Sequence, residues 1–160
     1  MLVIEPFSSA LVRTFVHTAE AAQVTIDPDA QASGSSHLQA GSQTVFVNDQ
    51  TGYKFFRDAS GICVYRKTTN GGTSWNTPVT VDAQTDCISI TVWYDQWTPG
   101  DTGSYIHIST LDTSVDDMFY NRLDTSSDTL LLGSAPVDVS TNSANSVATV
   151  GAGTNINSLT

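Results

Sequence analysis

Short runs in which apolar and polar residues alternate recur along residues 42–135, and turn-forming residues separate them. Each run has the length of a β-strand, and a repeat of two places its apolar side chains on one face of a sheet. The predicted strands are residues 44–48, 53–57, 62–68, 77–81, 88–94, 105–111, 118–124 and 129–132. The pattern therefore predicts an all-β protein with two four-stranded antiparallel units, at residues 42–82 and 87–135.

The hairpin between the third and fourth predicted strands carries the most specific turn signal in the chain. The tripeptide Asn70-Gly71-Gly72 tolerates positive φ, as tight turns require. The Thr68 hydroxyl and the Asn70 amide can hydrogen-bond backbone groups within the turn. Trp75 is large enough to fold back over the loop and bury one of its faces.

The order Thr68-x-Asn70-x-Gly72-x-Ser74-Trp75 resembles the Asp-box, or bacterial neuraminidase repeat, of sialidase-like β-propellers. The family pattern is Ser/Thr-x-Asp-x-Gly-x-Thr-Trp/Phe, so Asn stands here for the Asp and Ser for the Thr. The resemblance implies that the box joins the third and fourth strands of a propeller blade. It also implies a structural role on the outside of the blade, remote from the central binding face.

The second unit looks like a repeat of the first. Aligning residues 64–67 with residues 119–122 places residues 123–130 on the box, with Leu130 where Trp75 stands. By the resemblance, residues 41–160 hold about two blades and the start of a third. Propellers need at least four blades, so the chain is either part of a longer polypeptide or one of several copies that assemble.

Sialidase-like catalysis is the sharpest functional expectation that the resemblance raises. The family uses an arginine triad, a Tyr-Glu nucleophile pair and an Asp acid/base. Glu5 and Glu20 are the only glutamates and both precede the first unit, while Arg57 only loosely echoes the family's arginine motif. No base for a tyrosine nucleophile is expected among the strands. A non-catalytic chain is therefore favoured, and a sialidase-like glycoside hydrolase fragment stays open as an alternative.

A long connection between the fifth and sixth predicted strands holds the best binding residues. Trp93 and Tyr94 end the fifth strand, and Asp95 and Trp97 follow in the loop. Exposed Trp and Tyr rings can stack on sugars while nearby carboxylates accept hydroxyl hydrogen bonds. The structural alternative is that Trp93 belongs to the core between blades, which makes Trp97 the strongest of the four.

The formal net charge of −10 comes almost wholly from scattered Asp residues. Such a surface repels a phosphate backbone, and the six Lys and Arg residues form no cluster, so nucleic acid is not an expected partner. No segment has the apolar length of a membrane span, and the N-terminus lacks the pattern of a secretory signal. A virion or another extracellular assembly is the expected location.

The cysteines and the remaining metal-type residues leave alternatives open. Cys63 and Cys87 either form a disulfide or include a buried free thiol. No cofactor is expected, although Ca²⁺ could bind oxygen ligands, against a solvated turn as the alternative. His107 is expected to be a packing or surface residue. The three carboxylates concerned in the calcium hypothesis are Asp112, Asp116 and Asp117.

Residues 1–40 share no repeat with the rest and are interpreted as an attachment segment. Residues 9–23 fit a helix or a strand equally well, and Gly34 lies in a Ser-rich linker. Because the segment cannot form a core alone, its apolar residues are expected to dock on another subunit. The favoured function is a non-catalytic propeller component, such as a phage tail or surface protein, that binds a glycan or receptor. The alternative is a purely architectural subunit without a ligand.

Overall fold

Two antiparallel sheets account for nearly all of the regular structure in the computed structural model, which describes residues 23–28, 43–112, 115 and 117–140. The first sheet has the order β1-β2-β3-β4, with strands Thr44–Phe46, Gly52–Arg57, Cys63–Thr68 and Val79–Asp82. The second has the order β5-β6-β7-β8, with strands Cys87–Tyr94, Tyr105–Asp112, Asp117–Asp124 and Thr129–Leu130. The predicted all-β class with two antiparallel sheets is confirmed, although the second sheet has a fifth strand that the prediction lacks.

Alternation along the strands decides which side chains form the core. In β2, Tyr53 and Phe55 are fully buried, whereas the intervening Lys54 and the following Phe56 are only partly buried. Phe55 lies opposite Tyr65 of β3, and their rings are 5.6 Å apart. A repeat of two therefore turns one face of the first sheet into an aromatic surface.

The core lies between the two sheets, because the buried face of the first sheet meets apolar residues of the second. Each fully buried side chain of this size contributes about 1.5–3 kcal/mol relative to exposure. The contributing residues of the second sheet are Ile90, Val92, Tyr94, Ile106, Ile108 and Leu123.

A disulfide and a polar cluster join the sheets at their borders. Cys63 at the start of β3 is bonded to Cys87 at the start of β5, so the disulfide is the correct one of the two alternatives for these cysteines.

In the polar cluster, the Asp128 carboxylate accepts a hydrogen bond of 3.0 Å from the Tyr53 hydroxyl and pairs with Lys67 Nζ at 2.9 Å. Burial, with a smaller effect of the Asp128 charge, raises the pKa of Tyr65 to about 12.

The turn between β3 and β4 is closed by side chains, as the sequence predicts. The Thr68 hydroxyl accepts the Gly72 N–H at 2.9 Å, and Asn70 Oδ1 accepts the Ser74 N–H at 2.9 Å. The Trp75 ring meets the Phe46 ring edge-on at 6.5 Å, and Trp75 is half-buried. Side-chain hydrogen bonds therefore close the turn, and a contact between two aromatic rings lies beside it.

The turn between β7 and β8 is built differently. The Asp124 carboxylate accepts the backbone N–H of Ser126 at 2.9 Å and its hydroxyl at 2.7 Å. These hydrogen bonds, together with that from Ser104, hold the pKa of Asp124 at about 2. Leu130, which the sequence alignment places at the position of Trp75, packs against the core.

The fourth strand of the second sheet is split, which the sequence pattern does not predict. A ninth strand, β9 at Val137–Asp138, pairs with β7 beside the shorter β8. Gly133 has a φ of 59° and Pro136 has no N–H to donate, so the chain leaves the ladder between the two strands.

Only residues 23–28 of the predicted attachment segment are described, and they lie on the first sheet of their own chain. Asp27 accepts a hydrogen bond of 2.8 Å from Arg66 Nε on β3. Val24, Ile26 and Asp27 border a cleft of about 320 Å³ with Lys54 and Phe56. The apolar residues expected to dock on another subunit, Leu11, Phe15 and Val16, lie outside the described residues, as does the predicted start of a third unit.

Candidate functional site

The face of the second sheet that points away from the first carries a row of aromatic and charged side chains. Trp93 of β5 lies opposite His107 of β6, which lies opposite Arg122 of β7. Their strand neighbours Ile106, Ile108 and Leu123 point into the core. The row is therefore a direct consequence of the alternation that builds the core.

Asp95 anchors the loop that follows β5. It starts a 3-10 helix at Asp95–Trp97, and its Oδ2 accepts the backbone N–H of Tyr105 at 2.9 Å, which ties the start of the loop to its end. A Cβ added at Gly103 would overlap this carboxylate. The close approach of the backbone to Asp95 therefore requires a glycine at position 103.

His107 forms a hydrogen-bonded chain with Asp95 and Tyr120. Its Nε2 is 2.7 Å from Asp95 Oδ1, and its Nδ1 is 2.6 Å from the Tyr120 hydroxyl. An ionised carboxylate only accepts, so Nε2 carries the proton in the chain. Burial raises the pKa of Tyr120, an effect that the Asp95 charge adds to and the Arg122 charge opposes.

Two indole rings lie beside this chain. Trp93 and Trp97 meet edge-to-face, with centroids 5.6 Å apart and an interplanar angle of 89°. Trp93 Nε1 donates to the Thr98 hydroxyl at 3.2 Å, which fixes that ring against the loop. Trp97 is 36% exposed, so part of its surface is available for stacking.

Arg122 adds a cation to the same face. It is exposed, and its guanidinium lies 4.9 Å from the centre of the Tyr105 ring. Within the described part of the chain, no carboxylate forms an ion pair with it. We call the whole group the aromatic site: Trp93, Asp95, Trp97, Tyr105, His107, Tyr120 and Arg122.

The structure brings together three of the four residues that the sequence singled out for binding. Trp93, Asp95 and Trp97 belong to the aromatic site. Tyr94 is 5% exposed and faces the core, although its ring also meets Trp97 at 6.4 Å. Trp93 is half-buried on the face away from the first sheet, so it is not part of the core between the two sheets.

Sequence reasoning missed His107, Tyr120 and Arg122 as site residues. The expectation that no base lies near a strand tyrosine is wrong, because the imidazole of His107 contacts the Tyr120 hydroxyl. Alternation places all three on one face of their strands, but only the register of β6 against β7 brings them together. The pairing register of β6 and β7, which the sequence does not reveal, would have identified these three residues.

The calcium hypothesis gains no support from the residues that can be described. Asp112 and Asp117 lie opposite each other on β6 and β7, and Asp116 lies outside the described residues. Among the residues described, no group of three or more His, Cys, Asp or Glu side chains could hold a metal ion.

Comparison with known proteins gives no family for this chain. No protein-family model and no curated protein matches it. Over the described ranges, no helix combines the length and apolar character needed to cross a membrane.

Proposed function

We propose that this protein is a non-catalytic component of a virion or another extracellular assembly, and that the aromatic site binds carbohydrate. The observation that carries the proposal is the part-exposed Trp97 ring beside Trp93 and the hydrogen-bonded His107. An exposed indole offers a flat apolar surface to a sugar ring, and neighbouring polar groups can exchange hydrogen bonds with its hydroxyls.

The disulfide supports the extracellular part of the proposal. Disulfides persist in oxidising surroundings and are rare in proteins kept under cytosolic conditions. The bond between Cys63 and Cys87 joins two sheets rather than two neighbouring strands of one hairpin. Such a cross-link suits a protein that must stay folded without help from a cell.

The alternative proposal is a purely architectural subunit: the two sheets are adjacent blades of a sialidase-like propeller, completed by a longer chain or by further copies, and the next blade covers the face that carries the aromatic site. Three features support this: each sheet contains four strands in sequence order, to which the second adds β9; β4 leads directly into β5; and the sheets pack on each other through their faces. Residues 1–40 would then attach the propeller to other subunits.

A hydrolase is a second candidate, because His107 offers a base to the Tyr120 hydroxyl. The raised pKa of Tyr120 counts against it, since burial holds the phenol in its protonated, weakly nucleophilic form. Turnover of a fluorogenic sialoside that is lost in Tyr120→Phe would establish the hydrolase and refute the non-catalytic proposal.

A glycan array probed with the full chain tests the binding proposal. We expect a defined set of glycans to bind, and Trp97→Ala to weaken that binding roughly tenfold through the loss of one stacking surface. Trp75→Ala is the matched control, because Trp75 packs on Phe46 of the other sheet. An array without hits would favour the purely architectural subunit, and equal losses in both variants would move the site elsewhere.

A further inference from the structure

We infer that protonation of His107 reverses the hydrogen bond to the Tyr120 hydroxyl and thereby sets which ligand groups the aromatic site accepts. The inference deepens the proposed carbohydrate binding, on which its consequence for ligands rests. The reversal itself depends only on the chain Asp95–His107–Tyr120 and can be tested without any ligand.

The Asp95 carboxylate determines which nitrogen of the neutral His107 ring carries the proton. The Asp95 carboxylate has two fixed partners: Oδ2 accepts the Tyr105 N–H at 2.9 Å, and Oδ1 faces His107 Nε2 at 2.7 Å. Because the carboxylate can only accept, the single proton of a neutral imidazole lies on Nε2. Nδ1 is then an acceptor, so the Tyr120 hydroxyl donates to it across 2.6 Å.

A second proton on the ring changes the role of Nδ1. An imidazolium carries a proton on both nitrogens, so Nδ1 becomes a donor and the Tyr120 oxygen must accept. The hydroxyl proton of Tyr120 then turns away from His107. Tyr120 changes from a group that offers a ligand only an acceptor into one that offers a donor, and the site gains one positive charge.

The groups around His107 allow both states. The charged groups next to the ring are Asp95, which begins the loop after β5, and Arg122 on the neighbouring strand. His107 itself is 31% exposed, so water can deliver the proton. Histidine is the side chain whose two ring nitrogens can serve as a donor and an acceptor in one protonation state and as two donors in the other. The titratable and charged groups facing His107 are Asp95, Tyr105, Tyr120 and Arg122; β5 contributes only the uncharged Trp93.

Nitrogen-15 NMR of the histidine rings in the full chain tests the reversal directly. We expect neutral His107 to carry its proton on Nε2, and a second proton to appear on Nδ1 as the pH falls from 8 to 5. Replacing the other two histidines, His17→Gln with His37→Gln, leaves a single imidazole signal for assignment. A neutral ring protonated on Nδ1, or a ring that does not titrate in this range, would overturn the inference.

Binding of triacetylchitotriose, an uncharged ligand whose acetamido carbonyls only accept, tests the consequence. We expect affinity to rise roughly two- to tenfold from pH 7.5 to pH 5.5, the value of one added hydrogen bond. Tyr120→Phe should abolish the rise, and the double variant of His17 and His37 should keep it. Binding that persists equally at both pH values refutes the inference, whereas no binding at either pH refutes carbohydrate recognition of this ligand and leaves the NMR result to decide the reversal.

Discussion

Asp82 shows how a single residue can oppose the stability of the fold around it. Its carboxylate is fully buried, where Oδ2 accepts the Thr110 hydroxyl at 2.8 Å and Oδ1 accepts the Gln84 N–H at 3.1 Å. Burial raises the pKa of Asp82, the nearby Asp112 charge adds to the rise, and the two hydrogen bonds reduce it without reversing it. Folding therefore favours the neutral acid.

The sign of the pH dependence follows from that preference. The stabilisation that protonated Asp82 provides is complete below its unfolded pKa, about 4, and is lost as the pH rises through the higher folded pKa. Asp82→Asn resembles the neutral acid and can keep both hydrogen bonds, because the Thr110 hydroxyl also accepts. We expect this variant to be more stable than the wild type at pH 7 and equally stable near pH 3.5.

Urea unfolding at both pH values measures the difference. Asp49→Asn is the control, since Asp49 is exposed in a turn of the first sheet. A loss of stability in Asp82→Asn at pH 7 would mean that the ionised carboxylate has a favourable partner that outweighs its burial.

The turn after β3 depends on one hydroxyl. Thr68 is fully buried, and its oxygen accepts the Gly72 N–H while its proton is donated to Asn70 Oδ1 at 2.9 Å. Thr68→Val keeps the shape and removes both bonds. We expect a loss of about 1–3 kcal/mol in the free energy of unfolding, the usual cost of leaving such groups unsatisfied.

The neighbouring Thr69 supplies the control for this prediction, because it is exposed. Thr69→Val should change the stability by less than about 0.5 kcal/mol. Chemical denaturation of both variants compares them, and equal losses would show that the Thr68 hydroxyl contributes nothing specific.

The elements themselves could be predicted from the sequence, but their combination could not. Alternation and turn residues located the four strands of each unit, since those signals act over a few neighbouring residues. The contact of His107 with Tyr120 depends on the register of β6 against β7, which no local pattern encodes. The same holds for β9, whose two residues are too few to give a periodic signal.

One covalent bond, between Cys63 and Cys87, links the two sheets across a sequence separation of 24 residues. Closing a loop of this length lowers the entropy of the unfolded chain and stabilises the fold by about 3 kcal/mol. Reduction with dithiothreitol should therefore lower the free energy of unfolding by about that amount. Unlike an alanine replacement, reduction leaves the two side chains almost unchanged in volume.

The double variant Cys63→Ala with Cys87→Ala serves as the control for this experiment. It should already be destabilised, and the reductant should have no further effect on it. Equal melting of the oxidised and reduced wild-type protein would show that packing between the sheets suffices without the bond.

The order of the strands also determines which surface of the nascent chain is exposed during synthesis. All strand pairs of the first sheet join sequence neighbours, so this sheet can form as soon as residue 82 has left the ribosome. Its aromatic face, which includes Tyr53, Phe55 and Tyr65, then remains exposed to solvent until β5 to β7 have been synthesised. At about 5–20 residues per second, the remaining 42 residues up to Asp124 take a few seconds. We expect chaperone contact during synthesis to fall in that interval, and oxidation of Cys63 to come after it.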